Sequence, residues 1–271
     1  GSSARARVVF VERRAPSRGG ERERERRMSI SARDDGETAA SATARAKFRV
    51  LCLHGFAQDA ATFRAKTGAV RKQLRGTCEF YFVDAPHDVS GAFERGVGAS
   101  DASPRAWFTS AENARANANA STDEGWTRPA MSREYVGWDE SLDVLRAFQA
   151  EHGPFDGVLG FSQGSTAAAA ALADDDELRA SVKFVVLVAG FEPRDARMVA
   201  NMNATSPFSM PSLHVHGDKD ALITRERASE LAARFDSIRR EFFFHDGSHG
   251  VPTSLAKVIK SWLAREIERG L

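Results

Sequence analysis

The chain has 271 residues, of which 42% are hydrophobic, 28% charged and 9% aromatic. These proportions are ordinary for a soluble globular protein and argue against a fibrous, a wholly disordered or a disulfide-stapled chain. The length allows one large α/β domain or two small domains.

Charge nearly cancels over the whole chain, with 38 Lys and Arg against 37 Asp and Glu, but it is unevenly distributed. Residues 1–47 carry 12 basic and 7 acidic side chains, whereas the remaining 224 residues carry 26 basic and 30 acidic ones. Because phosphate binding needs clustered positive charge, we do not expect the mildly acidic body of the protein to bind nucleic acid. Only the N-terminal segment has the charge to attract anions.

The N-terminal segment, residues 1–47, is rich in Arg, Ser, Ala and Gly and includes an alternating charged run at 21–27. This composition predicts a solvated, disordered extension. An organelle transit peptide is the alternative, since Arg, Ser and Ala suit one, although the four Glu between positions 12 and 25 count against it.

Two cysteines, Cys52 and Cys78, lie within strand-like apolar runs and are interpreted as small buried hydrophobes in a reducing compartment. We therefore expect a cytoplasmic protein, with organelle targeting through the extension as the alternative. The sequence contains no metal-ligand spacing and no dinucleotide or P-loop motif, so no metal and no cofactor is expected. The longest wholly apolar stretch, residues 167–173, is far shorter than the ~20 residues of a membrane-spanning helix, so no membrane span is expected.

Regular patterning begins at Phe48. The continuous apolar run at 48–53 (FRVLCL) predicts a buried strand that ends at His54-Gly55. Residues 60–75 predict a helix, and residues 79–83 (EFYFV) predict a second strand. From 87 to 133 the periodicity is lost, and a stretch this long inside a compact domain is usually disordered or functional.

Periodicity returns at Tyr135, after which strands and helices alternate. The predicted helices cover residues 139–152, 163–173, 224–235 and 253–268, and the predicted strands cover residues 155–159, 184–189, 213–215 and 241–244. Strands that are apolar throughout and alternate with helices predict a mostly parallel, doubly wound sheet with helices on both faces. We predict one α/β domain at 48–271.

Gly160-Phe161-Ser162-Gln163-Gly164 follows a predicted strand directly and leads directly into a predicted helix. In this context a G-x-S-x-G sequence predicts a tight turn that strains the serine backbone and exposes its hydroxyl at the edge of the sheet. The two glycines keep side chains out of a crowded crossing of strand and helix. The alternative is an ordinary strand–helix turn.

A nucleophilic serine needs a histidine as its base, and in this architecture the base follows the serine in the chain. His249 lies in a Gly-rich loop between the last predicted strand and the last predicted helix, and it is the favoured base. His245, at the end of a strand, is the alternative. His214 and His216 alternate within a strand, so we expect them to be core residues.

The carboxylate that orients the histidine is expected after the strand at 213–215, where Asp218 and Asp220 both occur. Asp220 is favoured because it leads into the apolar residues 221–223, which would bury it. Asp218 could instead cap the turn or pair with Lys219. Asp84 also follows a strand, but it precedes the serine and would break the chain order.

Stabilisation of a tetrahedral oxyanion requires two backbone N–H groups. The residue after the nucleophile, Gln163, supplies one of them, and the loop after the first strand supplies the other. In that loop Gly55 lets the chain turn and Phe56 is expected to present its amide, whereas His54 is expected to make structural hydrogen bonds. The alternative for His54-Gly55 is a plain turn.

Several segments in register resemble the family of serine hydrolases (FSH). They are LCLHGFAQDAATFRAKTGAVRKQL (51–74), YFVDAPH (81–87), RAWF (105–108), YVGWDESLDVL (135–145), GPFDGVLGFSQG (153–164), FVVLVAGF (184–191) and LHVHGDKDALI (213–223). The resemblance implies an α/β-hydrolase fold and hydrolysis of carboxylic esters or thioesters. It places the family's nucleophile, acid and histidine on Ser162, Asp220 and His249, and it marks residues 109–128 as an irregular insertion.

The resulting hypothesis is a serine hydrolase that acts on a small-molecule acyl ester or thioester through an acyl-enzyme. Aromatic residues near the predicted site are candidates for an apolar acyl slot, and the alternative for each is core packing. These residues are Phe56, Phe93, Trp107, Phe108, Phe161 and Phe191. Two other classes remain open: a non-catalytic hydrolase-fold binding protein, and an anion or membrane binder that works through residues 1–47.

Overall fold

The computed structural model describes residues 46–90, 103–111 and 129–271. Within these ranges six strands form one sheet in which every neighbouring pair is parallel. They are β1 (Phe48–Leu53), β2 (Cys78–Val83), β7 (Gly157–Phe161), β8 (Phe184–Val188), β9 (Ser212–Gly217) and β10 (Arg240–His245). Four two-residue strands form two antiparallel ribbons, β3 (His87–Asp88) with β4 (Arg105–Ala106), and β5 (Thr109–Ser110) with β6 (Tyr135–Val136).

Eight α-helices lie in the described parts of the chain, together with a 3₁₀ turn at Pro129–Met131. The helices are α1 (Ala60–Lys66), α2 (Gly68–Leu74), α3 (Trp138–His152), α4 (Gln163–Asp174), α5 (Asp176–Ser181), α6 (Ala196–Thr205), α7 (Arg225–Ala232) and α8 (Leu255–Glu268).

The strand order β10-β9-β8-β7-β1-β2 places β1 between β2 and β7. The chain passes from β1 to β2, which forms one edge of the sheet. The next strand of the sheet, β7, then pairs with the other side of β1. Leu53, the last residue of β1, is in register with Val83 of β2 and with Gly160 of β7. The carboxyl ends of β1 and β7 therefore meet where the winding direction changes, which is where open α/β sheets bind their ligands.

Two apolar layers cover the sheet, because successive side chains of a strand point to opposite faces. In β8, Val185 and Leu187 belong to the layer shared with α3, α4, α5, α6 and α7. Phe184, Val186 and Val188 belong to the layer shared with α1, α2 and α8. These layers confirm the predicted α/β architecture with helices on both faces of a parallel sheet.

The predicted strand at 48–53 has the predicted bounds, and the other predicted strands of the sheet shift by at most two residues. The predicted helix at 60–75 is instead two helices, α1 and α2, with Thr67 between them. The Thr67 hydroxyl donates to the carbonyl of Phe63 at 2.8 Å, and such a bond competes with the helical backbone. Helices α5 and α6 were not predicted, and each begins after an aspartate, Asp175 or Asp195, whose carboxylate accepts a backbone N–H.

The predicted N-terminal extension lies outside the described residues except for positions 46 and 47. Of the predicted insertion at 109–128, residues 112–128 also lie outside the described residues, while Thr109–Ser110 form β5. The extension and the insertion stay predictions.

Cys52 and Cys78 are buried free thiols in the apolar layer of α1, α2 and α8. Burial raises the pKa of both thiols, to about 12 for Cys78. No helix in the described ranges is long and apolar enough to cross a membrane. Among the same residues, no group of three or more His, Cys, Asp or Glu side chains is arranged to hold a metal ion.

Candidate active site

Ser162 occupies the turn between the end of β7 and the start of α4. Its φ of 52° and ψ of −118° lie in a region that residues with a side chain rarely adopt, at a cost of about 1–3 kcal/mol. The Ser162 amide donates to the carbonyl of Val188 in β8 at 2.7 Å, and its carbonyl accepts from the amide of Ser165 at 2.9 Å. The neighbouring strand and helix therefore hold the strained residue at the carboxyl edge of the sheet.

Gly160 and Gly164 allow the close crossing of strand and helix around this turn, as their spacing predicts. A Cβ at Gly164 would overlap the carbonyl oxygens of Leu53, the last residue of β1, and of His54, which follows it. A Cβ at Gly160 would lie 2.6 Å from the Cα of Ser165. Helix α4 thus lies closer to β1 and β7 than any side chain at these two positions permits.

Ser162, His249 and Asp220 form an unbroken chain of hydrogen bonds. The Ser162 Oγ lies 2.9 Å from Nε2 of His249, and Nδ1 of His249 lies 2.7 Å from Oδ2 of Asp220. The three residues come from the ends of β7, β10 and β9, and they are far apart in sequence. The ring of Phe161 lies beside the imidazole, with the ring centroids 5.3 Å apart.

Asp220 is held from both sides of its carboxylate, and its side chain is fully buried. One oxygen, Oδ1, accepts the backbone N–H groups of Leu222 and Ile223, each at 2.9 Å, and the other faces His249. Burial by itself raises the pKa of this carboxyl, but the bonds from His249 and the two amides outweigh it and leave the pKa below its usual range. Asp220 is therefore ionised and fixed in orientation.

The alternative acid and base residues point elsewhere. Asp218 is half-exposed and forms an ion pair with Arg225 rather than with Lys219. The Nδ1 atom of His245 accepts the amide of Gly247 at 3.1 Å within its own loop. The carboxylate of Asp84 accepts the amide of Ala60 at the start of α1, at 2.7 Å.

His214 and His216 are buried, as expected for core residues of β9. The His214 ring lies between the rings of Phe235 and Phe242, and burial lowers the pKa of this histidine to about 3. Burial also lowers the pKa of His216. Both imidazoles are therefore neutral at physiological pH and belong to the packing of the sheet.

The loop that follows β1, residues 54–58, lies beside the Ser162 turn because β1 and β7 are neighbouring strands. Ala57 in this loop has φ 60°, and its amide donates to the carbonyl of Arg105 at 2.8 Å. A Cβ at Gly55 would lie 2.8 Å from the ring of Phe161, so the loop packs closely on the end of β7. Gln163 is the first residue of α4, a position whose N–H has no partner within its own helix.

His54 makes structural hydrogen bonds, as the sequence predicts. Its side chain is fully buried, and Nε2 accepts the amide of Ala85 at 3.1 Å. The proton therefore resides on Nδ1, which donates to the carbonyl of Gly55 at 2.8 Å. Burial lowers the pKa of His54 to about 4, so this imidazole is neutral.

Most of the aromatic residues predicted to line an acyl slot are packed in the core. Trp107 and Phe108 are 0% exposed, and Phe191 and Phe161 are 1% and 5% exposed. The prediction is therefore wrong for Trp107 and Phe108, which expose no surface to a slot, because their rings pack between α3 and the loops at the end of the sheet. Phe56 is partly exposed, and Phe93 lies outside the described residues.

One contact near the site was not predicted. The side-chain amide of Gln163, 1% exposed, bonds to the backbone of Trp107 and Phe108. These partners lie more than fifty positions away in sequence, so no local pattern signals the contact. The sequence offers one sign that residues 105–108 are ordered: the RAWF segment brings two adjacent aromatic residues into a stretch that otherwise lacks periodicity.

The parallel sheet and the strand-to-helix turn at Ser162 define an α/β hydrolase. Solved structures share this fold: the crystal structure of esterase PE8 aligns with a TM-score of 0.53 and 20% identity, covering 81% of this chain and 93% of the other. The crystal structure of Arabidopsis thaliana SOBER1 aligns with a TM-score of 0.51 and 15% identity, covering 82% and 100%.

A family model described as Serine hydrolase (FSH1) matches residues 43–260, and the chain belongs to this family. Esterase OVCA2 of Mus musculus is 36% identical over 224 residues, which cover 79% of this chain and 93% of the mouse protein. Esterase OVCA2 of Homo sapiens is 37% identical over 216 residues, covering 76% and 90%. Rhodanese-like domain-containing protein 6 of Arabidopsis thaliana is 33% identical over 223 residues, covering 77% of this chain but only 37% of that longer protein.

Proposed function

We propose that this protein hydrolyses carboxylic esters or thioesters of small molecules, with Ser162 as nucleophile, His249 as general base and Asp220 as the acid that orients the histidine. The observation that carries the proposal is the hydrogen-bonded chain from the Ser162 Oγ through His249 to Asp220, with both distances below 3 Å. The esterase names of the curated relatives support the same class of substrate.

In the first half of the reaction, the Ser162 Oγ attacks the substrate carbonyl carbon while its proton moves to Nε2 of His249. The backbone N–H groups of Phe56 and Gln163 donate to the oxyanion that forms. Each such donor typically lowers the barrier by about 2.7–4 kcal/mol. The tetrahedral intermediate then collapses, and the alcohol or thiol leaves with the proton from His249, which produces the acyl-enzyme.

Water resolves the acyl-enzyme in the second half. His249 takes a proton from the water, whose oxygen attacks the acyl carbon, and the proton then returns to the Ser162 Oγ as the carboxylic acid leaves. Ionised Asp220 holds the Nδ1–H tautomer of His249 throughout, so that Nε2 faces Ser162 as an acceptor. These steps require only residues of this chain and water.

Labelling with an alkyl fluorophosphonate tests the proposal. The Ser162 Oγ forms a bond to phosphorus, fluoride leaves, and the serine proton passes to His249. We expect stoichiometric labelling of the wild type and loss of the label in Ser162→Ala. Ser165→Ala is the matched control, because Ser165 is buried one turn further along α4 and bonds to the carbonyl of Val188. An unlabelled wild type would favour a non-catalytic binding protein.

A series of acyl p-nitrophenyl esters and acyl thioesters of increasing chain length defines the substrate class. The sequence-based preference for apolar acyl chains predicts a kcat/KM that rises from acetyl to longer esters. Equal or falling values would contradict that preference and leave ester hydrolysis itself intact. Deletion of residues 1–47 should preserve the activity, whereas its loss would indicate function through the N-terminal segment.

A further inference from the structure

The side chain of Gln163 uses both ends of its amide to hold one backbone segment, residues 105–108, which we call the strap. Its Oε1 accepts the amide N–H of Trp107 at 2.9 Å, and its Nε2 donates to the carbonyl of Phe108 at 2.7 Å. One partner is a donor and the other is an acceptor, so the orientation of the side-chain amide is fixed. The hydroxyl of Ser141 in α3 adds a second support, donating to the carbonyl of Trp107 at 2.5 Å.

The strap in turn holds the loop after β1. The Ala57 amide donates to the carbonyl of Arg105 at 2.8 Å, and the Arg105 amide donates to the carbonyl of Gln58 at 2.9 Å. The indole N–H of Trp107 donates to the carbonyl of His54 at 2.8 Å. Three hydrogen bonds therefore tie both ends of the segment that carries Phe56 to the strap.

We infer that the side chain of Gln163 is a positioning residue for oxyanion binding: by clamping the strap, it fixes the loop that carries the Phe56 amide relative to the Gln163 amide itself. The inference rests on the proposed function. One residue would then supply one oxyanion donor from its backbone and set the place of the other through its side chain. The two donors follow different strands, β1 and β7, and the strap adds a link between them beyond the pairing of those strands.

Packing alone does not explain a glutamine at this position. Burial of a side-chain amide carries a desolvation cost that an apolar residue of the same length avoids. What the amide adds is two directed bonds to a strap whose own contacts converge on the Phe56 loop. The loop also contains Ala57 at a positive φ, a conformation that persists only where surrounding contacts enforce it.

The first test is Gln163→Met, which keeps the length of the side chain and removes both bonds. We expect kcat for p-nitrophenyl butyrate to fall by about 10- to 100-fold with KM changed less than about twofold, because misplaced donors weaken transition-state binding alone. The matched control is Gln149→Met, at another buried glutamine, in α3, whose Oε1 has no hydrogen-bond partner among the residues that the structure describes. This control should retain wild-type kinetics.

A trifluoromethyl ketone separates positioning from a general structural role. The Ser162 Oγ adds to the ketone carbon, the serine proton moves to His249, and the ketone oxygen becomes a hemiketal oxyanion. The pKa of this hemiketal, followed by ¹⁹F NMR in the folded adduct, reports on the oxyanion donors. We expect it to rise by about one unit or more in Gln163→Met, since tenfold weaker stabilisation of the anion corresponds to one unit. It should not change in Gln149→Met.

Trp107→Phe keeps an aromatic ring in the core, although a smaller one, and removes the indole bond to His54, so it tests the same link if Gln163→Met fails to fold. A smaller rise of the hemiketal pKa is expected. An unchanged kcat and an unchanged hemiketal pKa in a folded Gln163→Met, or in Trp107→Phe if the first variant does not fold, would overturn the inference. A wild type that neither hydrolyses esters nor forms the adduct would instead overturn the proposed function.

Discussion

In the proposed mechanism, replacement of Asp220 by asparagine removes the charge that stabilises protonated His249 and leaves the surrounding backbone contacts in place. The Oδ1 atom that accepts the amides of Leu222 and Ile223 has a counterpart in the asparagine carbonyl, so the turn should remain folded. The new NH₂ group, however, would face Nδ1 of His249 across the present 2.7 Å contact. The imidazole must then carry its proton on Nε2, where it can no longer accept the proton of Ser162.

The expected magnitude follows from the geometry. After the proposed proton transfer, Asp220 and protonated His249 form an ion pair across the 2.7 Å contact, with the carboxylate side chain fully buried. With an effective dielectric constant of about 20, unit charges at this distance attract by about 6 kcal/mol. Loss of this term corresponds to a decrease of kcat on the order of 10⁴-fold.

The assay is steady-state hydrolysis of p-nitrophenyl butyrate by Asp220→Asn, with Asp218→Asn as the matched control. Asp218 is half-exposed and pairs with Arg225, and such surface pairs contribute at most about 1 kcal/mol, so the control should retain kcat within about fivefold. The assignment of the acid would be refuted if Asp220→Asn kept more than a tenth of the wild-type kcat, or if Asp218→Asn lost more activity than Asp220→Asn.

Two further predictions concern stability. Gly164→Ala should lower the free energy of unfolding by about 3 kcal/mol or more, because the new Cβ would overlap two backbone carbonyls. At Gly68, in α2, an added Cβ would meet none of the described residues packed around the helix within 4 Å, so Gly68→Ala should leave the free energy of unfolding unchanged or raise it by up to about 1 kcal/mol. Equal denaturant midpoints for these two variants would contradict the close crossing of α4 and β1. His214 binds a proton in the unfolded state near pH 6.5 but in the folded state only near pH 3, so its contribution to stability is complete above about pH 6.5 and is lost as the pH falls towards 3. Between pH 7 and pH 5 the wild type should therefore lose on the order of 2 kcal/mol more in denaturant titrations than His214→Leu, and parallel pH profiles for the two proteins would disprove this effect.

The sequence predicted the sheet because its strands are continuous apolar runs between helices, a pattern that needs no tertiary information. It also predicted the neighbourhood of Ser162, His249 and Asp220, since the ends of parallel strands share one edge. Helices α5 and α6 were not predicted because each has only one or two buried side chains on its apolar face, Leu178 in α5 and Met198 and Met202 in α6. The break between α1 and α2 at Thr67 was not predicted because it depends on one side chain, whose hydroxyl donates to the carbonyl of Phe63.

The surroundings of Asp220, the candidate acid, were only partly predicted. The apolar residues after Asp220 were expected to bury it, but Leu222 is itself exposed and contributes its backbone amide instead. The contact of Gln163 with the strap could not be predicted, because it joins two segments that meet only when the sheet has formed. Similarly, Trp107 is buried in the core and bonds to the carbonyl of His54, a contact between distant segments that no local sequence pattern predicts.

The short ribbon of β5 and β6 has a consequence for how this fold can diversify. Ser110 and Tyr135 are directly paired across it, so the two ends of the intervening chain leave from adjacent points. A change in the length of the chain between Ser110 and Tyr135 therefore leaves the two ends of that chain side by side. Trp107, three positions before Ser110, need not move. The ribbon thus separates the length of residues 111–134 from the position of Trp107, so a change of length in that stretch need not displace the strap.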